Sequence, residues 1–264
     1  MSSKFTVLID VYWGFAFFQK ALEGIQNQTY QNLEIIIANN GANDEITQFI
    51  NKTKKTDSRI KVLHYEKNIY SLDDPIKYIF VIGNDALKIA SGEYFYYQSY
   101  DDLMALDYVE RMVNLFEENS KCTSAAGLPV SIDANDNVNQ EELLNRKSNF
   151  RPRFMPGHEM VLETLRFKSN RKKRGIFSAP GTIFTFKTKT LIDSGGFHRS
   201  FETGQLYGIV PFGETGFDEK AIFYWRRHEG QTNKITDRRG HIGIKEFYSM
   251  LDDFKIKERW SVFG

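Results

Sequence analysis

A single cysteine, Cys122, stands in 264 residues. That excludes an intrachain disulfide and any cysteine-rich metal centre, and it fits a reducing compartment. Charge of one sign is lacking too, with 35 Lys and Arg against 34 Asp and Glu. Such a balance gives no overall field to recruit nucleic acid or an anionic membrane, so any anionic ligand must be met locally. No apolar run approaches the roughly 18 residues of a membrane span, because Asp10 and Lys20 interrupt even the aromatic N-terminal region. The opening MSSKFTVLID lacks the apolar core and cleavage site of a secretory signal, and the histidines lack HExxH spacing. There is no internal repeat or low-complexity linker. These absences lead to the expectation of a cytoplasmic protein, with at most peripheral contact at the inner face of the membrane.

What is present is a core-forming composition, 41% hydrophobic and 14% aromatic, ample for a folded domain. FTVLIDVYW is a compact apolar run followed by Phe17, Phe18, Ala21, Leu22 and Ile25 at helical spacing. NLEIIIANNGAND repeats the scheme: an isoleucine strand, a turn at Asn39-Asn40-Gly41, then a helix with Ile46, Phe49 and Ile50. RIKVLHYE predicts a third strand, residues 76–90 a helix and YFYYQ a fourth strand. A helix marked by Leu103, Leu106, Val109, Val113 and Phe116 is expected next. Alternation of this kind predicts an α/β fold with a mainly parallel sheet flanked by helices. Ligands of such sheets lie beyond the carboxyl ends of the strands. Three loops should therefore converge there: Asp10 to Trp13, Asn39 to Asn43 and Ser99 to Asp102. After about residue 120 the pattern loosens. SIDANDNVNQEE reads as a polar hairpin or loop, SNRKKRG as a basic segment, GTIFTFK as a strand, and residues 217–228 and 243–255 as helices.

Three stretches carry a resemblance. ALEGIQNQTYQNLEIIIANNGANDE, ALKIASGEYFYYQSYDDLMALDYVERMV and APGTIFTFKTKTLIDSGGF stand in an order and spacing similar to those of the family 2 glycosyltransferases. That resemblance implies the GT-A fold as a single domain over 1–264, with residues 1–120 the nucleotide-sugar half and 121–264 the acceptor half. It implies an inverting hexosyltransferase that takes a nucleoside-diphosphate sugar, uridine favoured, to a glycan or lipid-linked glycan hydroxyl. Building of a surface polysaccharide is the expected setting. The chain departs from the family pattern at Ser99, Asn39 and Asn40, where aspartates are usual. A catalytically silent GT-A-like module that binds a nucleotide or carbohydrate is therefore the alternative. A sugar-phosphate nucleotidyltransferase is disfavoured, since no glycine-rich phosphate loop follows the first strand.

The chemistry gives each candidate a role. A diphosphate leaving group gains charge as the sugar bond breaks, which calls for Mn²⁺ or Mg²⁺ on carboxylate oxygens. By resemblance Asp102 is the expected metal ligand, and Asp101 the residue on the sugar-nucleotide or a second ligand. Either could instead cap a helix beginning at Leu103. Asn40 stands where the family reads the imide N–H of uracil, but Asn39-Asn40-Gly41 could equally be a tight turn. The main chain of Val11 and Tyr12 would flank the base, with Tyr12 a stacking surface or a core residue. An inverting transfer needs a general base, for which Asp218 is preferred and Glu219 is the neighbour. Both could equally be acids favoured at a helix N-terminus. The run 170–175, NRKKRG, could meet phosphates or be a solvated loop.

Overall fold

A computed structural model describes residues 3–71, 77–148, 153–157, 159, 184–197 and 213–231. In chain order the elements are β1 (Phe5–Val11), α1 (Phe15–Gln26), β2 (Leu33–Asn40), α2 (Asp44–Thr56), β3 (Ile60–Tyr65), α3 (Lys77–Ile89) and β4 (Tyr94–Gln98). Then come β5 (Leu103–Met104), α4 (Tyr108–Glu118), β6 (Cys122–Ile132), α5 (Gln140–Ser148), β7 (Phe154–Pro156), β8 (Phe184–Lys187), α6 (Thr188–Asp193) and β9 (Glu214–Arg226). The described strands form one mixed sheet in the order β3-β2-β1-β4-β8-β6-β9-β5, with β7 against β9. β3, β2, β1 and β4 are mutually parallel, as the alternation predicts, and their carboxyl ends share one edge. Beyond β4 the sheet turns mixed: β8 is antiparallel to both β4 and β6, while β6 and β9 are parallel.

Central strands are buried on both faces, which explains why β1 and β2 read as continuous apolar runs. On α1 the buried residues are Phe18, Ala21, Leu22 and Ile25, the expected helical stripe. α2 starts at Asn43, whose side chain accepts the Ile46 N–H at 3.0 Å, and it carries acids in its first turn and lysines in its last. The four aromatic residues of β4 serve two faces. Tyr94 stacks on Phe116 of α4 and Tyr96 packs on Tyr108, whereas Phe95 and Tyr97 meet Phe197 on the α3 side. Phe197 closes Gly195-Gly196-Phe197 and presses on Gly83 of α3, where a side chain would collide with its ring. Asn84 exchanges hydrogen bonds with the Phe197 main chain, each 2.8 Å long.

Two expectations change. Leu103 and Met104 form the short strand β5 against Tyr224 and Phe223, so the helix starts later, at Tyr108. SIDANDNVNQEE does make a tight polar turn, bridged antiparallel at Ile132 and Val138, between the end of the long strand β6 and α5. Residues 217–228 are not helical: β9 runs to Arg226, with Ala221 and Phe223 buried in alternation. The edge positions left by β6 are satisfied by β9, and that ladder overrides the helical spacing of Ile222, Phe223 and Trp225. The segments 170–175 and 243–255 lie outside the described residues.

Candidate functional site

The three expected loops do meet at the carboxyl ends of β1, β2 and β4, and a fourth segment joins them, the tail of β9. Arg226 organises this junction. Its side chain is fully buried and lies over the Phe17 ring, 4.6 Å from the centroid. Nε donates to the Asp101 carbonyl at 2.7 Å, Nη1 to the Asp133 carbonyl at 3.0 Å, and Asp136 supplies the opposite charge. A buried guanidinium without such partners would be prohibitively costly. The Arg226 main-chain N–H, in turn, donates to Asp102 Oδ1 at 2.9 Å.

The adjacent aspartates are thereby given different environments. Asp102 is buried, and burial first, then the neighbouring Asp101 charge, hold its carboxyl well above the usual carboxylate range. Asp101 instead points its Oδ2 at His228 Nε2, 2.9 Å away. Neither aspartate caps a helix. His228 sits between the rings of Phe17, at 5.0 Å, and Trp13, at 5.9 Å. Asp101 is thus paired with His228, their side chains 11% and 7% exposed, while Asp102 is tied to the Arg226 main chain. Ser99 accepts the Asp102 N–H through its carbonyl and contributes no carboxylate.

At the β2 end Asn39 donates to Thr47 Oγ1 and accepts the Ala42 N–H, both at 2.9 Å. Asn40 accepts the Ile69 N–H and donates to Asn68 Oδ1, again at 2.9 Å. Asn39 thus ties the loop after β2 to α2, and Asn40 knits that loop to the loop after β3. Asparagine suits position 40, because an aspartate there would set a carboxylate against Asn68 Oδ1, whose orientation is fixed by the Tyr70 N–H. Val11 is buried in the core, while the Tyr12 ring is exposed. Asp10, at the end of β1, was not singled out as a site residue from the sequence. Burial, opposed by the Tyr97 hydroxyl and reinforced by Asp101, pushes its carboxyl up to about 7.

Asp218 and Glu219 are not brought to this junction. They fall where β9 bulges away from β6, between Phe217 paired with Ala126 and Ile222 paired with Leu128. At about 3.3 Å per residue, that is roughly 20 Å along the sheet from Arg226. Asp218 faces Arg111 at 3.5 Å and Arg153 at 4.0 Å, and accepts the Lys220 N–H at 2.8 Å; Glu219 is exposed. What the sequence reading missed, His228 and Arg226, lies in WRRHEG, and the signal that could have found them is the strand-like alternation just before it.

Residues 6–71 match the family model described as glycosyl transferase family 2. A glycosyltransferase of Haemophilus influenzae is 29% identical over 119 residues, covering 45% of this chain and 34% of that one. One from Rickettsia felis is 23% identical over 235 residues, 87% of this chain and 35% of that one. The chain therefore spans about a third of the length of these relatives. In fold it is similar to Staphylococcus aureus TarS 1-349 in complex with UDP-GlcNAc, with a TM-score of 0.67 and 16% identity over 95% of this chain and 65% of that one. It is also similar to the mannosyltransferase PcManGT of Pyrobaculum calidifontis in complex with GDP-Man and Mn²⁺, with a TM-score of 0.58 and 14% identity over 98% and 64%. Among the described residues no three metal-ligating side chains cluster, and no helix is long and apolar enough to cross a membrane. The family segment on β1 to β3, the glycosyltransferase relatives and the GT-A architecture of the sheet together support a glycosyltransferase of the family 2 kind.

Proposed function

We propose that the chain transfers a hexose, with inversion, from a nucleoside-diphosphate sugar, uridine favoured, to a hydroxyl of a glycan or lipid-linked glycan in surface polysaccharide synthesis. In this reading it works in the cytoplasm, with residues 1–120 holding the donor and 121–264 the acceptor. One observation carries it: Asp101 Oδ2 and His228 Nε2 converge at 2.9 Å beyond the carboxyl ends of β1 and β4, where ligands of such sheets are held. A carboxylate and an imidazole suit a divalent cation that keeps its other positions for water and phosphate oxygens. Mn²⁺ or Mg²⁺ there would neutralise charge on the departing diphosphate. The chain's own part is to fix this pair. Arg226 pins the Asp101 main chain and the Asp102 carboxylate, and the Phe17 and Trp13 rings pack against the imidazole.

The donor base would lie at the ends of β1 and β2, beside the exposed Tyr12 ring. Asn40 can accept from it only with the second lone pair of Oδ1, since Ile69 takes the first. One observation favours the silent alternative, a module that binds but does not transfer: the preferred base, Asp218, is engaged by arginines away from the pair. Calorimetry with UDP or GDP plus Mn²⁺ is the test. Asp101→Asn and His228→Gln should each weaken metal-dependent binding at least tenfold, while binding without metal changes little. Wild-type affinity in both variants would refute the seat, and tight binding without transfer or hydrolysis of any bound donor would favour the silent module.

A further inference from the structure

Trp13 is 42% exposed, yet its ring is held on several sides. Tyr100 lies 5.9 Å away, tilted by 56°, and the edge of His228 also lies at 5.9 Å. Gly230, in the tail after β9, runs so close that a β-carbon there would stand 2.1 Å from the indole. Gly14, directly after Trp13, has φ 76, and a β-carbon on it would meet the Tyr100 ring at 2.5 Å. The left-handed turn therefore requires glycine and fixes the direction in which the indole leaves β1. Leaving so large an apolar ring ordered and uncovered forgoes the burial that ordinarily rewards tryptophan. An immobilised aromatic surface beside the Asp101–His228 pair is a shaped surface awaiting a flat partner.

We propose that Trp13 is a platform on which a pyranose ring stacks, its C–H face against the indole, next to the reacting centre. This rests on the reading of Asp101 and His228 as the diphosphate seat. Topology selects a sugar over a nucleobase. The base side of the crevice is the β2–β3 side, where Asn40 and the loop after β3 meet, whereas every ring and tail segment around Trp13 belongs to the β4 loop or the β9 tail, on the other side of β1. Aromatic rings receive sugars through weakly positive C–H groups on the negative π face, and an indole offers the largest such face.

The hexose could be the donor's or the acceptor's, and the test separates them. Trp225 and Trp260 are replaced by phenylalanine, so that Trp13 alone of the three tryptophans emits. Its fluorescence is then followed during titration with UDP, UDP-N-acetylglucosamine, GDP-mannose and a neutral trisaccharide, each with Mn²⁺. A change with nucleotide sugars and none with UDP places the donor hexose on the indole; a change with the trisaccharide places the acceptor there. Trp13→Ala should weaken the ligand that produces the change about tenfold more than it weakens UDP alone, with Trp13→Phe between. The platform is overturned if UDP alone produces the full change, if no sugar changes the emission, or if Trp13→Ala binds sugars like wild type. Separately measured UDP and GDP binding tells failure of the donor seat from failure of the platform.

Discussion

Asp10 is a carboxyl in a place that offers it a hydroxyl and, among the described residues, no ion pair. Its titration reports on the folded state. Burial, against the Tyr97 hydroxyl and with Asp101, raises it from 3.8 to about 7, so between those values the folded protein binds the proton more tightly than the unfolded chain. Stability on this account is fullest below about pH 4, falls as pH rises to about 7 and then levels off. Asp10→Asn keeps the shape without the charge. Urea unfolding should show the variant equal to wild type near pH 4 and more stable by about 2 to 4 kcal/mol at pH 8; equal stability at both pH values would show that Asp10 is ionised without penalty. Glu34 is the opposite case. Burial pushes it up, but Lys61, Ser91 and Thr6 outweigh burial and hold it below its ordinary value. Sequence alone distinguishes neither: Asp10 reads as an interruption in an apolar strand, and Glu34 as one acid before three isoleucines. The same limit applies to Asn40, where the turn was legible and the Asn68 partner after β3 was not.

At the scale of elements, β1 to β4 were legible because each carries its own signal: apolar runs of strand length separated by helical stripes and turn residues. The Asp101-Asp102 position at the end of β4 followed directly. β6 and β9 were not legible, because their pairing joins residues some 90 positions apart, from Cys122↔Glu214 to Ile132↔Arg226, and nothing local announces the partner. The bulge at 218–221 also breaks the period-two pattern that would have marked β9 as a strand. An element misread as a helix put Asp218 at a helix head, the place for a base. As a strand residue under α4 it is an ion-pair partner of Arg111 and Arg153. Asp218→Asn should therefore leave nucleotide affinity and transfer rate within about threefold of wild type while lowering stability by up to about 1 kcal/mol. A loss of transfer in the range of 10²-fold or more, typical of a missing general base, would return that role to Asp218.

For the whole molecule, the junction at Arg226 ties together α1, the β4 loop, the turn after β6 and the tail of β9. Arg226→Met removes a buried cation whose partners stay behind, so unfolding should cost about 3 to 5 kcal/mol less than in wild type, and metal-dependent nucleotide binding should be lost in the same variant. A change below 1 kcal/mol by urea denaturation would show that the four segments hold without it. These bonds also set an order of events during synthesis. Asp101 precedes His228 by 127 residues, which at about 5 to 20 residues per second is roughly 6 to 25 s on the ribosome. Through that interval the emerging N-terminal half has its strands, its base-side loops and both aspartates, but neither the imidazole nor the guanidinium that orders them. If Asp101 and His228 form the proposed seat, a nascent chain cannot hold metal and nucleotide at a half-made centre. The seat is then complete only once β9 docks, so the capacity to bind would double as a report that translation has passed residue 228.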